Sequence, residues 1–536
     1  MRRLLFAVFA LLLATVGPAP AAPDTSTDLR LIVLIAVDQF RYDYLTRFRD
    51  QYQDGLQRLL TEGAVFTDAN LEHYPTVTAI GHATMLSGAT PSVSGIVGND
   101  WFDRASGKSV SSVSDPSVTL LGAEGTGSSP HRLLVSTVGD ELKMAAKAER
   151  GSPEAPRVIG LSLKDRSAIL PAGRTADAAY WWDTKSGNFV TSSYYAPDAP
   201  AWVAAFNARK MAATWAGRPW TLITAPATVL RRMPEEAGGA LNTAVYGSPF
   251  GNELLLEFAT EAVTRERLGQ RGVTDLLSVS LSSNDAVGHT FGPASPQVRD
   301  MAIRTDRILG ALLSRLDRLV GLRHTLIALT ADHGVAPLPE TLQARAMPGG
   351  RITSKDLFDP IQQGLARAYG EGQWVLGTSG TSPYLNEALI AQLKADPAQV
   401  RRDVARIAAG LPHVARVYTR DQLMNGAVQD DRVGRRILRG FNAARSGDVE
   451  ILLEPYWIRQ ATGTTHGTPY NYDAHIPLIL MGPAIKAGEY SAPVALNDLA
   501  PTLATLARVE IPSGSAGRVL TEAIRSPAAA PKRPAK

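Results

Sequence analysis

The feature that most constrains this chain is a short apolar run, rich in β-branched residues, that recurs along it. The first run is Leu31-Ile-Val-Leu-Ile-Ala-Val37. Similar runs follow at 158–163, 276–281, 325–330 and 476–481. Apolar runs of this length, bounded by polar residues, are typical of strands buried on both faces of a sheet. Amphipathic patterns between them, as at 297–320 and 496–506, indicate helices. The alternation predicts an α/β fold, with a mostly parallel central sheet flanked by helices.

The remaining segments predict how the chain is organised. A basic start, a short apolar stretch and small residues predict a signal peptide over 1–22, and hence a periplasmic or secreted protein. We expect one catalytic domain over 23–525, with inserted cap regions at about 100–272 and 337–448. The tail, 526–536, is rich in Pro, Ala and Lys and is expected to be disordered. The second insertion has helix and strand patterns of its own, at 354–369, 385–394, 396–409 and 414–418.

Composition excludes several classes of protein. The chain has no cysteine, so disulfides are impossible and any metal must take nitrogen and oxygen ligands. Its net charge of +4 includes Arg2 and Arg3 of the predicted signal peptide, and this balance is too weak to indicate nucleic-acid binding. No later apolar stretch approaches the roughly 20 residues of a spanning helix, so we expect no stable membrane insertion. We also expect a monomer.

Three of the apolar runs are followed by aspartates. Asp38 directly follows the first run, Asp285 comes four residues after the third, and Asp332 two residues after the fourth. In open α/β sheets, ligands bind beyond the carboxyl ends of the strands. Three histidines complete the set: His289, His333 and His466. Each pair alone is more often a surface hydrogen-bonded pair, but together the six residues predict two metal ions with open coordination positions, the pattern of catalytic zinc.

The motifs around these residues resemble a known family. They are, in order, Asp38, Pro75-Thr-Val-Thr-Ala-Ile-Gly-His82, Asp285…His289, Thr330-Ala-Asp-His-Gly334 and His466-Gly467. In this order they are similar to the metal and nucleophile motifs of the alkaline phosphatase superfamily. The resemblance implies that Thr78 is the nucleophile and also a metal ligand. Without it, Thr78 would be interpreted as a helix cap, and Thr76 is the local rival for the nucleophile.

The resemblance also divides the ligands between two zinc ions. One ion would be held by Asp285, His289 and His466. The other would be held by Asp38, Asp332 and His333, beside Thr78. A zinc ion in this second position can lower the pKa of a hydroxyl, which otherwise is a poor nucleophile at neutral pH. We expect His82, one turn into the helix that follows Thr78, to support the site by packing or hydrogen bonding instead of coordination.

Three further residues bear on the substrate. Asn99 lies in Gly98-Asn-Asp-Trp101, and Lys164 and Arg166 lie in Ser162-Leu-Lys-Asp-Arg-Ser-Ala-Ile-Leu-Pro-Ala-Gly173. The second segment is similar to phosphate-irrepressible, PafA-type alkaline phosphatases, in which the equivalent residues contact the phosphoryl group. The resemblance implies that small-molecule phosphate monoesters are the substrates. Two alternatives stay open: a nucleotide pyrophosphatase or phosphodiesterase, and a zinc- or phosphate-binding protein without turnover.

Overall fold

The computed structural model describes residues 28–148 and 154–525. The predicted signal peptide, 1–22, and the predicted tail, 526–536, lie outside these residues. Over the described ranges, none of the helices combines the length and the apolar character needed to cross a membrane.

An eleven-stranded mixed sheet forms the centre of the molecule. Its strands, in chain order, are β1 (Leu31–Val37), β2 (Ala64–Phe66), β3 (Ser114–Leu121), β4 (Thr126–Ser128), β5 (Val158–Ser162), β6 (Ala178–Asp183), β7 (Asn188–Ser192), β8 (Asp275–Leu281), β9 (Thr325–Thr330), β10 (Leu478–Met481) and β11 (Gly488–Tyr490). Across the sheet they follow the order β11-β2-β10-β9-β1-β8-β5-β6-β7-β3-β4. The inner strands β9, β1, β8, β5 and β6 are mutually parallel.

The predicted α/β class is confirmed, but one of the five predicted strands is antiparallel to its neighbour. All five predicted runs are strands, and β1 and β9 coincide with their predictions. The last run forms β10, which pairs antiparallel with β9. The expectation that it would be parallel was wrong because the chain enters β10 from a loop at the carboxyl edge of the sheet. No crossover helix returns it to the other edge, as a parallel strand requires.

Helices of eight or more residues account for most of the remaining regular structure. They are Gly55–Glu62, Thr78–Ser87, Val138–Ala148, Asp165–Ala172, Ala201–Ala208, Gly239–Tyr246, Pro249–Arg265, Ser283–Phe291, Pro296–Leu319, Ser354–Tyr369, Pro397–Ala409, Arg432–Gly440 and Leu499–Ala507. Shorter helices are Asp43–Arg47, Pro91–Ser94, Pro339–Gln343, Glu387–Gln392, Arg420–Met424 and Asn471–Ala474. Two-stranded ladders join Asp100–Asp103 to Lys108–Ser111, Pro219–Leu222 to Ala225–Arg232, Val375–Ser379 to Ser382–Leu385, Val414–Thr419 to Val449–Leu453, Gly350–Arg351 to Trp457–Ile458, and Ala69–Asn70 to Val494–Ala495.

The two segments predicted as insertions are built differently. The segment at 100–272 supplies β3 to β7, so it widens the central sheet. The segment at 337–448 has a separate hydrophobic cluster, which includes Leu357, Ile361 and Trp374. Its predicted helix at 354–369 is observed, whereas 385–394 is helical only over Glu387–Gln392. The domain boundaries themselves stay a prediction.

A buried carboxylate joins the longest helix to the segment before helix Gly55–Glu62. Asp306 accepts four backbone N–H groups at 2.7–3.2 Å, those of Gln53, Asp54, Leu56 and Gln57. The first N–H groups of a helix have no partner within it, so a carboxylate here satisfies donors that would otherwise be buried unpaired. Asp306 therefore fixes the packing of the longest helix against helix Gly55–Glu62.

Candidate active site

The charged residues of the site follow four neighbouring strands at one edge of the sheet. In sheet order these strands are β9, β1, β8 and β5. They are followed by Asp332, Asp38, Asp285 and Lys164, respectively. Because the four strands are parallel, their carboxyl ends meet at the same edge. The predicted cluster of carboxylates therefore results from the strand order, which periodicity alone did not specify.

The first group of candidate metal ligands is Asp285, His289 and His466, whose ligand atoms all lie within 4.8 Å of one another. The Nε2 atoms of His289 and His466 are 3.1 and 3.7 Å from Asp285 Oδ1. Asp285 and His289 lie four residues apart in helix Ser283–Phe291, so they share one helix face. The structure brings together the three residues that the sequence predicted as one metal site.

The second group is Asp38, Asp285 and His333, again with ligand atoms within 4.8 Å of one another. Asp332 borders the same group, with Oδ2 at 3.3 Å from His333 Nε2. Asp38 Oδ1, at 3.6 Å from the same nitrogen, and Asp332 Oδ2 are buried without a hydrogen-bond partner among the described residues. Unpartnered buried carboxylate oxygens beside an imidazole fit a divalent cation, which would satisfy them together.

All three histidines are oriented by main-chain carbonyl groups. The Nδ1 atoms of His289, His333 and His466 lie 2.7, 2.9 and 2.8 Å from the carbonyl oxygens of Thr464, Gly334 and Thr76. A carbonyl oxygen only accepts, so each Nδ1 carries the proton and each Nε2 faces the carboxylates. Burial lowers the pKa of His333 and of His466, and the neighbouring imidazoles lower that of His466 further. Both rings are therefore neutral at pH 7, the form that binds metals.

Thr78 is the first residue of helix Thr78–Ser87 and is buried against this group. Its Oγ1 lies 3.3 Å from His333 Nε2. The N-cap of the helix is Val77, and no side-chain capping bond is present, so the helix-cap interpretation of Thr78 does not apply. Thr76 Oγ1 instead donates to the carbonyl oxygen of Thr468 at 2.8 Å. Of the two threonine hydroxyl groups, that of Thr78 is the one that contacts His333.

His82 lies one turn after Thr78 in the same helix. Its Nδ1 is 2.9 Å from the carbonyl oxygen of Thr78 and 3.3 Å from Asp332 Oδ2, and its Nε2 is 2.8 Å from Ser280 Oγ. Both ring nitrogens are therefore engaged with groups that surround the site. A fixed imidazole in this position holds Asp332 and the first helical turn in place.

Lys164 lies between the two groups of ligands. Its Nζ donates to Asp38 Oδ2 at 2.6 Å and to Asp285 Oδ2 at 2.7 Å. Burial disfavours the charged ammonium, but the carboxylates of Asp285 and Asp38 outweigh it and raise the pKa of Lys164. An ammonium group has three donors, so one remains for a further acceptor. Lys164 thus stays charged at the alkaline edge of the physiological range.

Arg166 and Asn99 are two further polar residues of the candidate site, and both are half-buried. Arg166 is in helix Asp165–Ala172 and its side chain is 27% exposed, with the nearest carboxylate, that of Asp165, at 3.6 Å. Asn99 Oδ1 accepts the backbone N–H of Ala79 at 2.9 Å, which leaves the amide NH₂ free to donate. The two side chains supply a guanidinium fork and an amide donor, both suited to phosphoryl oxygens.

Gln39 is a site residue that the sequence analysis missed. Its side-chain amide donates to Asp285 Oδ1 at 2.6 Å, and its backbone N–H donates to Asp332 Oδ1 at 3.0 Å. It adopts a left-handed φ of 62°, which is uncommon outside glycine and frequent at functional sites. Gly288 leaves the room that this amide needs, because a Cβ there would overlap Gln39 Oε1. Its position directly after Asp38 was the available signal.

A cavity of about 360 Å³ adjoins the metal ligands, and we call it the Glu450 cavity. His466, Pro75 and Thr468 form its wall on the side of the active site. Burial raises the pKa of the Glu450 side chain to about 7, and a hydrogen bond with Ser382 only partly opposes this. The carboxyl group therefore becomes charged only near neutral pH.

Replacing Glu450 should stabilise the protein at alkaline pH. A carboxyl group whose pKa rises from 4.5 to about 7 on folding costs no stability below pH 4.5, where it is protonated in both states. The cost grows up to pH 7 and then stays at roughly 3 kcal/mol. We expect Glu450→Gln to raise the free energy of unfolding at pH 8 and to leave it unchanged at pH 4.5. Urea denaturation at both pH values measures this, and an equal change at both would contradict it.

Comparisons with known proteins match nearly all of the chain. Residues 32–470 match the family model of type I phosphodiesterase / nucleotide pyrophosphatase. Alkaline phosphatase PafA of Elizabethkingia meningoseptica is 34% identical over 92% of this chain and 94% of its own. Alkaline phosphatase PhoV of Synechococcus elongatus is 35% identical over 94% of each chain. The crystal structure of wild-type PafA superimposes with a TM-score of 0.85, over 93% of this chain and 99% of that one.

Proposed function

The chain belongs to the type I phosphodiesterase / nucleotide pyrophosphatase family, and within it we propose that it is an exported alkaline phosphatase that uses two zinc ions and a phosphothreonine intermediate. Full-length similarity to PafA and PhoV, both named alkaline phosphatases, supports phosphomonoester hydrolysis. The observation that carries the proposal is the Thr78 hydroxyl, buried 3.3 Å from His333 Nε2 within the two groups of candidate ligands.

The candidate ligands fit zinc in number and in type. Asp285, His289 and His466 would hold one ion, and Asp38, Asp332 and His333 the other. Nitrogen and oxygen ligands with neutral, oriented imidazoles are typical of catalytic zinc sites. When bound, the ions would lower the pKa of hydroxyl groups and offset charge that develops on the phosphoryl oxygens.

In the nucleophilic step, the hydroxyl, amide, guanidinium and ammonium groups of the site each have a role. Thr78 Oγ1 attacks phosphorus and the alcohol leaves on the opposite side, because phosphoryl transfer proceeds in line. Thr78 is the first residue of helix Thr78–Ser87, so the positive end of the helix dipole favours the negative charge of the phosphoryl oxygens. The Asn99 amide, the Arg166 guanidinium and the third donor of Lys164 bind the non-bridging oxygens. These donors stabilise the extra negative charge that distinguishes a monoester from a diester.

The second step releases phosphate and restores the enzyme. Water attacks the phosphothreonine from the side that the alcohol vacated, and the Thr78 alkoxide leaves and is reprotonated. We infer that this water is activated beside His289 and His466, whose rings lie 5.1 Å apart between centroids. Two in-line displacements give net retention of configuration at phosphorus, which a chiral phosphate ester in isotopically labelled water would reveal.

Removal of the metal should abolish activity and lower stability together. Without cations, the buried carboxylates of Asp38, Asp285 and Asp332 repel one another, and the ammonium of Lys164, paired with Asp38 and Asp285, offsets this repulsion only in part. We expect a chelator to reduce aryl phosphate hydrolysis at pH 9 by at least about 10³-fold and to lower the melting temperature by about 5–15 °C. Zinc should restore both, at two ions per chain by elemental analysis. Full activity of the metal-free protein would exclude a metal-dependent mechanism.

A rate comparison on the purified protein tests the proposal against its rivals. The same alcohol is presented as a phosphate monoester and as a methyl diester, at pH 9 with zinc. A monoester kcat/KM at least about 100-fold higher supports the proposal, whereas a diester preference supports the phosphodiesterase. Zinc binding without turnover of either ester supports the binding protein. Export is tested separately, by fractionating cells and sequencing the mature N-terminus, which should follow position 22.

A further inference from the structure

The Glu450 cavity adjoins the candidate active site. His466 belongs to the candidate ligand group of Asp285 and His289, and its ring also forms part of the cavity wall. In-line attack by Thr78 would direct the leaving group away from its hydroxyl. A cavity that shares a wall with the candidate ligands has room for the alcohol portion of a substrate, so its chemistry bears on which alcohols are accepted.

The chemistry of the cavity is anionic and aromatic. Its wall includes the Glu450 carboxyl group and the rings of Tyr74, Tyr384 and Trp457. The Glu450 carboxyl group lies beside the neutral hydroxyl of Ser382, and within the described ranges no lysine, arginine or histidine forms an ion pair with its carboxylate. A carboxylate without a cationic partner, in a cavity that aromatic rings also line, is a site for a positively charged group.

Among the described residues, the basic side chains that line the cavity are those of Arg459 and His466. Arg459 forms its contacts with groups other than Glu450. Its guanidinium donates to the carbonyl oxygen of Gly380 and, at 2.8 Å, to Ser354 Oγ. It also lies over the Phe358 ring, at 5.1 Å from the centroid. Because these contacts hold it at the rim, Arg459 does not neutralise Glu450.

We propose that the Glu450 cavity is a leaving-group subsite for phosphate monoesters whose alcohol carries an ammonium group. This inference rests on the proposed phosphatase function and specifies its substrate class. The phosphoryl group occupies the site at Thr78, and the cation lies against the Glu450 carboxylate and the Tyr74, Tyr384 and Trp457 rings. Because Glu450 is ionised above about pH 7, the subsite is charged at the pH at which an alkaline phosphatase works.

Two substrates that differ by one charge test the subsite. They are 2-(trimethylammonio)ethyl phosphate and 3,3-dimethylbutyl phosphate, which share a shape because a quaternary nitrogen replaces a quaternary carbon. At pH 9 we expect kcat/KM of the wild-type holoenzyme to be about tenfold higher for the cationic substrate. The ratio should fall to about one in Glu450→Gln. It should persist in Glu454→Gln, the matched control, which removes an exposed carboxylate four residues further along the chain.

Binding of the alcohol alone separates failure of the subsite from failure of the phosphatase proposal. We expect 2-(trimethylammonio)ethanol at millimolar concentration to raise the melting temperature of the wild type and of Glu454→Gln, but not of Glu450→Gln. If this increase in melting temperature occurs but no ester is hydrolysed, the subsite proposal stands and the phosphatase proposal is wrong. Turnover with equal kcat/KM for the two esters, or a cationic preference that survives in Glu450→Gln, would overturn the subsite and leave the phosphatase standing.

Discussion

Thr78→Ala is expected to lower kcat for an aryl phosphate monoester by at least about 10⁴-fold, because it removes the atom that attacks phosphorus. Loss of a covalent nucleophile typically costs between about 10⁴ and 10⁶. Thr78→Ser keeps the hydroxyl and should retain activity within about 100-fold. Steady-state kinetics at pH 9 with saturating zinc measure both variants, and elemental analysis verifies that each still binds two metal ions per chain.

Thr76→Ala is the matched control for this prediction. Thr76 lies two residues earlier in the same segment, and its hydroxyl donates to the Thr468 carbonyl group instead of facing His333. Its loss removes one hydrogen bond, at a cost of about 1 kcal/mol of stability, and should reduce kcat by less than about tenfold. If Thr76→Ala were inactive while Thr78→Ala kept more than about 1% of wild-type kcat, the nucleophile would be misassigned.

Detection of the phosphorylated enzyme tests directly whether Thr78 is the nucleophile. After rapid acid quenching, mass spectrometry of wild-type enzyme with substrate should find one phosphate on the peptide that contains Thr78. The modification should move to serine in Thr78→Ser and be absent in Thr78→Ala. A phosphate on another residue would refute the proposed intermediate even if Thr78→Ala were inactive.

The sequence predicted the residues of the site better than it predicted their arrangement. Asp38 and Asp332 could be found because each closely follows an apolar strand, and such positions are fixed by the sheet. Residue spacing also paired Asp285 with His289, which lie four residues apart in one helix. The three strands that carry these aspartates are adjacent, which depends on crossover connections that periodicity does not specify.

The features that the sequence analysis missed all depend on contacts between distant segments. Gln39 contacts Asp285 across 246 positions, and no local pattern marks such a contact. Glu450 lies in a strand whose other residues are apolar, so its sequence context does not mark it as a site residue. The cavity also includes Tyr74 and His466 from other parts of the chain. The direction of β10 followed from where the preceding loop enters the sheet. Tertiary contacts, which local propensity cannot report, decided each of these features.

Lys164→Ala with Arg166→Ala should lower kcat/KM for a phosphate monoester by about 10³–10⁴-fold. Each side chain donates to phosphoryl oxygens in the proposed transition state, and removal of one such donor typically costs about 10²–10³. For the methyl diester of the same alcohol, which has one fewer charged oxygen, we expect a loss of less than about 100-fold. The monoester-to-diester preference should therefore fall at least about tenfold.

The double variant requires two controls, because Lys164 also contacts the ligand carboxylates Asp38 and Asp285. Elemental analysis must find two metal ions per chain, since loss of metal would reduce both activities equally. Lys185→Ala with Arg209→Ala removes the same charges from exposed positions and should keep the wild-type preference within about twofold. Equal losses for monoester and diester, with metal retained, would mean that Lys164 and Arg166 position the carboxylates and do not recognise the monoester. The case for a monoesterase would then rest on similarity to PafA and PhoV alone.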